Sequence, residues 1–155
     1  MHIGKNNPGL PYCINGTQIA AVTTEDIGFW VTDDLSTSTH VHKARCKALA
    51  EIAQITRNFS YIDKRAFCTL YNQRIRPHLD YGMTACPPGT VAEGKLLESV
   101  QSKATAMVQG LRHRNTEERR KVLGLMTLEQ RRERGDLIEV FKSLRGFTRI
   151  YPAQF

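Results

Sequence analysis

STSTHVHKARCKALAEIAQITRNF, residues 36–59, is the stretch on which the fold turns. Ala44, Ala48, Leu49, Ile52, Ile55 and Phe59 recur at the spacing of one helix face, the pattern of an amphipathic helix. Ser36, Thr37, Ser38 and Thr39 supply hydroxyls at its start, where a short polar side chain can satisfy the unpaired N–H groups of the first turn. Cys46 sits among these positions and reads as a small core residue. Upstream of this stretch the chain reads as β; downstream it is helical.

In the first 35 residues, Tyr12-Cys13-Ile14 and Thr17-Gln18-Ile19 flank Asn15-Gly16. Both turn positions of a tight hairpin need φ > 0, which Asn and Gly tolerate, so this predicts a two-residue β-hairpin. Pro8-Gly9 predicts a turn, and a third strand is expected over 27–31. Strands this short, with nothing on either side, suggest the cut edge of a larger sheet.

Beyond Phe59, Asp63 is expected to cap a second helix with Phe67, Leu70, Tyr71, Ile75 and Leu79 on one face. Cys68 lies on it as a second small core residue. Pro77 lacks an N–H and clashes with the preceding turn, so it should kink or end that helix. Residues 86–90 read as a loop. A third helix carries Leu96, Leu97, Val100, Ala104, Met107 and Val108, with Gly110 as its cap. Thr116 opens a short fourth helix closed by Gly124. Thr127 opens a fifth, with Leu128, Leu137, Ile138, Phe141 and Leu144, ended by Gly146. The expected fold is mainly α with a small N-terminal antiparallel β segment, short strands followed by about five packed helices. The division is 1–35, 36–146 and a tail 147–155.

The chain has 155 residues, 41% of them hydrophobic, enough for one domain with a core. No run approaches the ~18 apolar residues of a membrane span. Met1 to Pro8 has no apolar core of a signal peptide, so an intracellular protein, nuclear or cytoplasmic, is expected. The four cysteines, Cys13, Cys46, Cys68 and Cys86, form no CxxC pair and imply neither a zinc site nor a disulfide framework.

Net charge is +7, unevenly spread. Residues 1–40 hold one Lys against four acids, whereas residues 103–155 hold twelve bases against six acids. A basic carboxy-terminal part suits a polyanion, since each Lys or Arg near a phosphate releases counterions. Three clusters stand out: Arg112-His113-Arg114, Arg119-Arg120-Lys121 and Arg131-Arg132-Glu133-Arg134. Guanidinium forks fit phosphate oxygens; the interleaved Glu117, Glu118, Glu129 and Glu133 equally suit helix-surface ion pairs. Asp33-Asp34 could hold Mg²⁺ in a polymerase, but reads better as an Asp-rich turn that caps the strand. His40 and His42 fall on different helix faces, cannot share a metal, and read as surface residues near a helix start.

The order of motifs resembles a family. Residues 27–35 followed by His40 resemble the "LGVxxSDDLxxxxH" segment of reverse transcriptases from retrotransposons without long terminal repeats, of the jockey and chicken-repeat type. Leu70-Tyr71 with Ile75-Arg76-Pro77-His78-Leu79-Asp80-Tyr81 resembles "LYxxxVRPHLEY". Residues 97–105 resemble "LExVQRRATK". Gly110-Leu111-Arg112-His113, Glu118-Arg119, Leu123-Gly124-Leu125 and residues 128–138 continue the series in order. Gly94, Ser102 and Arg120 depart from the family pattern, which predicts looser third and fourth helices.

The resemblance implies the end of a palm plus a helical thumb. Met1-His2-Ile3 resembles the strand after the palm's fourth motif, and residues 28–35 the primer grip. The "YADD" metal box would lie before residue 1, so no catalytic or metal-binding residue is expected here; Mg²⁺ would belong to the full parent enzyme. The implied partner is an RNA–DNA or DNA template–primer duplex, alongside the parent's palm and fingers. The implied contact residues are Gly28, Phe29 and Trp30 of the primer grip, Lys43, Lys47 and Arg57 on the first helix, Arg76 and His78 at the Pro77 bend, and Arg112, His113, Arg114, Arg131, Arg132 and Arg134. Two alternatives remain: a helical protein-interaction module, and a mobile-element remnant without function.

Overall fold

The computed structural model describes residues 4, 7–8, 10–19, 24–26, 28–82 and 87–147. The Pro8-Gly9 turn, the Met1-His2-Ile3 strand, Ile27 and Cys86 fall wholly or partly outside them. The architecture is mainly α with a small antiparallel β segment ahead of it. Among the described residues, no helix is long and apolar enough to cross a membrane.

Strands β1 (Tyr12–Ile14) and β2 (Thr17–Ile19) pair antiparallel around Asn15 (φ 49°) and Gly16 (φ 80°), the two left-handed residues of the expected turn. A second hairpin pairs β3 (Thr24–Asp26) with β4 (Phe29–Val31). The third strand is therefore shorter than expected, and β3 was not anticipated: Thr24-Glu25-Asp26 carries too little apolar character to announce a strand. The two hairpins form separate two-stranded sheets. Gly28 at φ 83° turns the chain between β3 and β4.

Helix α1 (Ser38–Asn58) buries Val41, Ala44, Ala48 and Ile55. Its stripe begins earlier than the sequence pattern suggested, because His40 is also buried and only His42 faces solvent. It ends earlier too: Phe59 is exposed, and so is Cys46. Cys68 is half-buried against the core.

The second helical rod contains the main departure from expectation. Asp63 caps α2 (Lys64–Leu70), its carboxylate accepting from the Ala66 N–H at 2.7 Å. Pro77 does not end the rod, which runs on to Asp80. A π-helical turn, Tyr71–Ile75, precedes α3 (Arg76–Asp80), with Pro77 in the first turn of α3. That position needs no i−4 donor, and the wider turn makes room for the ring. It also keeps Phe67, Tyr71, Ile75 and Leu79 on one face, since a strict four-residue spacing drifts around an α-helix and the π turn corrects the drift. All four are at most 1% exposed.

Helix α4 (Val91–Thr105) starts with a capping box between Thr90 and Glu93. It stops at Thr105, short of Gly110, which serves instead in the turns that follow, at φ 75°. Helix α5 (Thr116–Leu123) is capped by Asn115 and closed by left-handed Gly124. Helix α6 (Leu128–Leu144) begins with a second capping box, Thr127 with Gln130. Only Leu128 of its expected stripe is buried; Leu137, Ile138, Phe141 and Leu144 are exposed.

The core joins α1, the α2–α3 rod and α4, with Leu123 and Leu128 closing one side. The departures from the family pattern pack rather than loosen. The Ser102 hydroxyl lies 2.9 Å from that of Thr116 and accepts from Arg119 at 3.2 Å. Arg120 pairs with Glu98 at 3.0 Å. Gly94 lies beside the Arg132 guanidinium, whose nearest atom would stand 3.8 Å from a Cβ, an ordinary contact that a small side chain could also make.

Two polar joints are testable. Glu93 is buried and accepts from the Ser38 hydroxyl and from the Gly89 N–H at 2.8 Å, tying α4 to α1. The Ser38 hydrogen bond, chiefly, holds its carboxyl below the ordinary 4.5, burial opposing. A carboxyl lowered on folding contributes stability present above its unfolded value and lost as pH falls through the folded one. Glu93→Gln should therefore cost about 1–2 kcal/mol at neutral pH, with the deficit shrinking in urea titrations below the ordinary carboxylate value. Gly82 stands at φ 69°, and a Cβ there would fall within the Phe29 ring. Gly82→Ala should cost about 2 kcal/mol or more, read as a lower thermal midpoint.

Candidate nucleic-acid interface

The β4 hairpin is seated on the helices through aromatic contacts. The Phe29 ring lies 5.0 Å from His40 and 5.4 Å from Tyr81, centroid to centroid. Gly28 approaches Tyr81 so closely that a Cβ would be 3.1 Å from the phenol ring. His40 Nε2 faces the Tyr81 carbonyl at 3.4 Å. A carbonyl only accepts, so Nε2 carries the hydrogen there. Phe29 is thus structural: it positions its neighbour rather than meeting a ligand.

That neighbour is Trp30. Lys43 Nζ sits 3.2 Å from the indole centroid, a cation–π contact. The indole N–H is buried, with no hydrogen-bond partner among the described residues. Gly28, Trp30, Lys43, Lys47 and His78 all line one cavity of about 190 Å³ between β4, α1 and α3. Five of the fourteen expected contact residues therefore come together at one place.

The basic surface continues along α1. Lys43, Lys47 and Arg57 fall on one side at the helical repeat, with Gln54 between them. Lys47, Gln54 and Arg57 are exposed. At a rise of ~1.5 Å per residue this row runs roughly 21 Å. Arg74, one turn before His78 on the neighbouring rod, is engaged by Glu51 at 2.9 Å and reaches Gln54 at 3.4 Å, so it ties the rod to α1 rather than adding a free cation to the row. Sequence reasoning did not select Arg74, although its spacing to His78 was legible. Arg76 is turned inward, 5.8 Å from the Tyr71 ring centroid.

The remaining expected residues lie elsewhere. Arg112 and His113 line a groove of about 800 Å³ with Lys103, Tyr61 and Met107. Ile52, Thr56 and Phe59 border it from the opposite side of α1 to the lysine row. Arg114 is exposed beside it. Arg131 is engaged by Asp80 at 2.6 Å, a tie between α6 and α3. Arg132 lines a third cavity, of about 480 Å³, with Lys95 and Arg120. Arg134 is exposed on α6.

Asp34 behaves as the turn residue expected. Its carboxylate accepts from the Thr32 hydroxyl at 2.5 Å and from the Ser36 N–H at 2.9 Å, shaping the exit from β4 toward α1. Among the described residues, no group of His, Cys, Asp or Glu is arranged to hold a metal ion.

What the arrangement can do is bind phosphates. A row of cations along one side of a helix, with an ammonium at its head and an imidazole beside it, is a donor set that suits phosphate oxygens. No family model matches the chain, and no curated protein or solved structure matches it.

Proposed function

We propose that this chain is a primer-grip and thumb segment of a reverse transcriptase of retrotransposons without long terminal repeats. Its own activity is non-specific binding of a template–primer duplex, without polymerisation. The ordered motifs of the sequence suggest the family. The observation that carries the binding reading is the convergence of Trp30, Lys43, Lys47 and His78 on one cavity, continued by Arg57 along α1. In this reading one phosphate sits at the head of the row, beside Lys43. Its neighbours along the strand lie over Lys47 and Arg57. Contacts of this kind position a duplex and read no sequence.

Trp30 is the only tryptophan, so its fluorescence reports on the site directly. Titrating the chain with RNA–DNA hybrid at low salt should change Trp30 emission, with affinity falling steeply as salt rises. Lys43→Gln with Lys47→Gln should reduce the slope of log affinity against log salt by about 1–2. Salt-independent binding, or none at low salt, would overturn the proposal.

Arg131 separates this reading from a general attraction to basic surface. Its guanidinium is committed to Asp80. Arg131→Gln should leave hybrid affinity nearly unchanged while lowering stability by up to about 1 kcal/mol, the worth of a partly exposed pair. Equal loss of binding in Arg131→Gln and in the Lys43/Lys47 variant would argue against a defined track. Primer extension with Mg²⁺ should yield no product.

A further inference from the structure

The short link between α1 and α2 holds two aromatic rings in solvent. Phe59 ends α1 in an extended conformation, φ −125°, and Asp63 opens α2. Ile62 anchors the link: its side chain is buried, and its carbonyl accepts from the Gln109 N–H at 3.1 Å. Phe59 and Tyr61 remain 45% and 64% exposed. Both line the groove of about 800 Å³, whose floor is buried Ile62 and Val108 with partly buried Ile52 and Met107. Lys103 from the last turn of α4, and Arg112 and His113 from the turns after it, line the same groove and are exposed. None of these three bases forms an ion pair among the described residues. Among the described residues that line the groove there is no Asp or Glu.

We propose that this groove binds single-stranded nucleic acid, an unpaired base stacking on Tyr61 and the flanking phosphates lying over Lys103 and Arg112. Every base has a π face, so an aromatic ring holds it whatever the sequence, while cations beside the ring take the backbone. A duplex keeps its base faces stacked on one another and has none to offer an exposed ring. The groove therefore suits a strand whose bases are free. The α1 row has the opposite make-up: its one indole face is already covered by Lys43. A volume of about 800 Å³ lies within the range of clefts that take organic ligands, and the apolar floor suits a base more than a bare phosphate. An acidic peptide would meet the same cations but leave the rings without a stacking partner. This site goes beyond duplex binding and stands apart from it, since Lys43 and Lys47 lie on the other side of α1 from Ile52 and Phe59.

Fluorescence anisotropy with an end-labelled oligothymidylate of about 12 nucleotides tests this on the full chain. The wild type should bind the strand at low salt. Tyr61→Ala, at an exposed position and with an unchanged helical spectrum, should weaken binding roughly tenfold, and Tyr61→Phe should keep it. An abasic strand of the same length has the same charge and no bases. The wild type should bind it roughly tenfold more weakly, and Tyr61→Ala should narrow that gap. Lys103→Gln with Arg112→Gln should lower the salt slope by about 1–1.5. Two controls separate the sites: Tyr61→Ala should leave affinity for blunt RNA–DNA hybrid unchanged, and Lys43→Gln with Lys47→Gln should leave strand affinity nearly unchanged. No binding of the strand at low salt, an abasic strand bound as tightly, or equal loss of strand and blunt hybrid in Tyr61→Ala would overturn the proposal. So would polyglutamate that displaces the strand as well as unlabelled oligothymidylate does, charge for charge.

Discussion

The placement of Phe29 between His40 and Tyr81 is the contact on which the binding surface depends. A three-residue strand pair has little stability of its own. The β4 hairpin acquires a fixed place because its one inward ring is held by two others, over a glycine that leaves room for it. Once Phe29 is seated, the alternation of a strand turns Trp30 to the other side, where Lys43 waits. The hairpin and helices then become one surface. The backbone at Gly28 and Gly82 serves the same contact, since both glycines are left-handed and both stand against an aromatic ring.

Local signals in the sequence were read well where the responsible groups lie within four residues of each other. The Asn15-Gly16 turn, the Asp63 cap, the Gly124 terminus and the Thr127 start all stand where the pattern placed them. The misreadings involve groups brought together from far apart. Nothing near His40 in sequence signals burial; Tyr81 and Phe29 bury it. Pro77 was expected to kink or end the rod, and the local rule is right that the ring needs room, but the core demands Tyr71, Ile75 and Leu79 on one side. The chain meets both requirements with a π turn. Gly110 has the conformation of a helix cap, and α4 ends before reaching it.

The candidate site was legible as a set of residues and only partly as a place. Trp30, Lys43, Lys47 and His78 converge, whereas Arg112 and His113 face a groove across α1, and Arg131 is spent on Asp80. Sequence spacing distinguishes faces of one helix but not the relation between helices. For the same reason the glutamates interleaved with the arginine clusters were ambiguous. In the fold Glu117 pairs locally with Lys121, whereas Arg120 of the same cluster reaches across to Glu98 on α4.

These pairings change what the net charge means. Of the three arginine clusters, the central one contributes most to packing: Arg119 is buried against Ser102 and Thr116, and half-buried Arg120 pairs with Glu98. Both knit α5 onto α4, and a guanidinium so engaged has few hydrogen atoms left for a phosphate. The α1 row has the opposite character, with fewer cations and most of its charge in solvent. A long-range attraction would come from the whole basic carboxy-terminal part. Short-range docking would come from the few cations whose geometry is held by the hairpin and whose hydrogen-bonding capacity is still free. On the proposed reading, the basic segment that looks weaker by composition is therefore the one with cations left for docking.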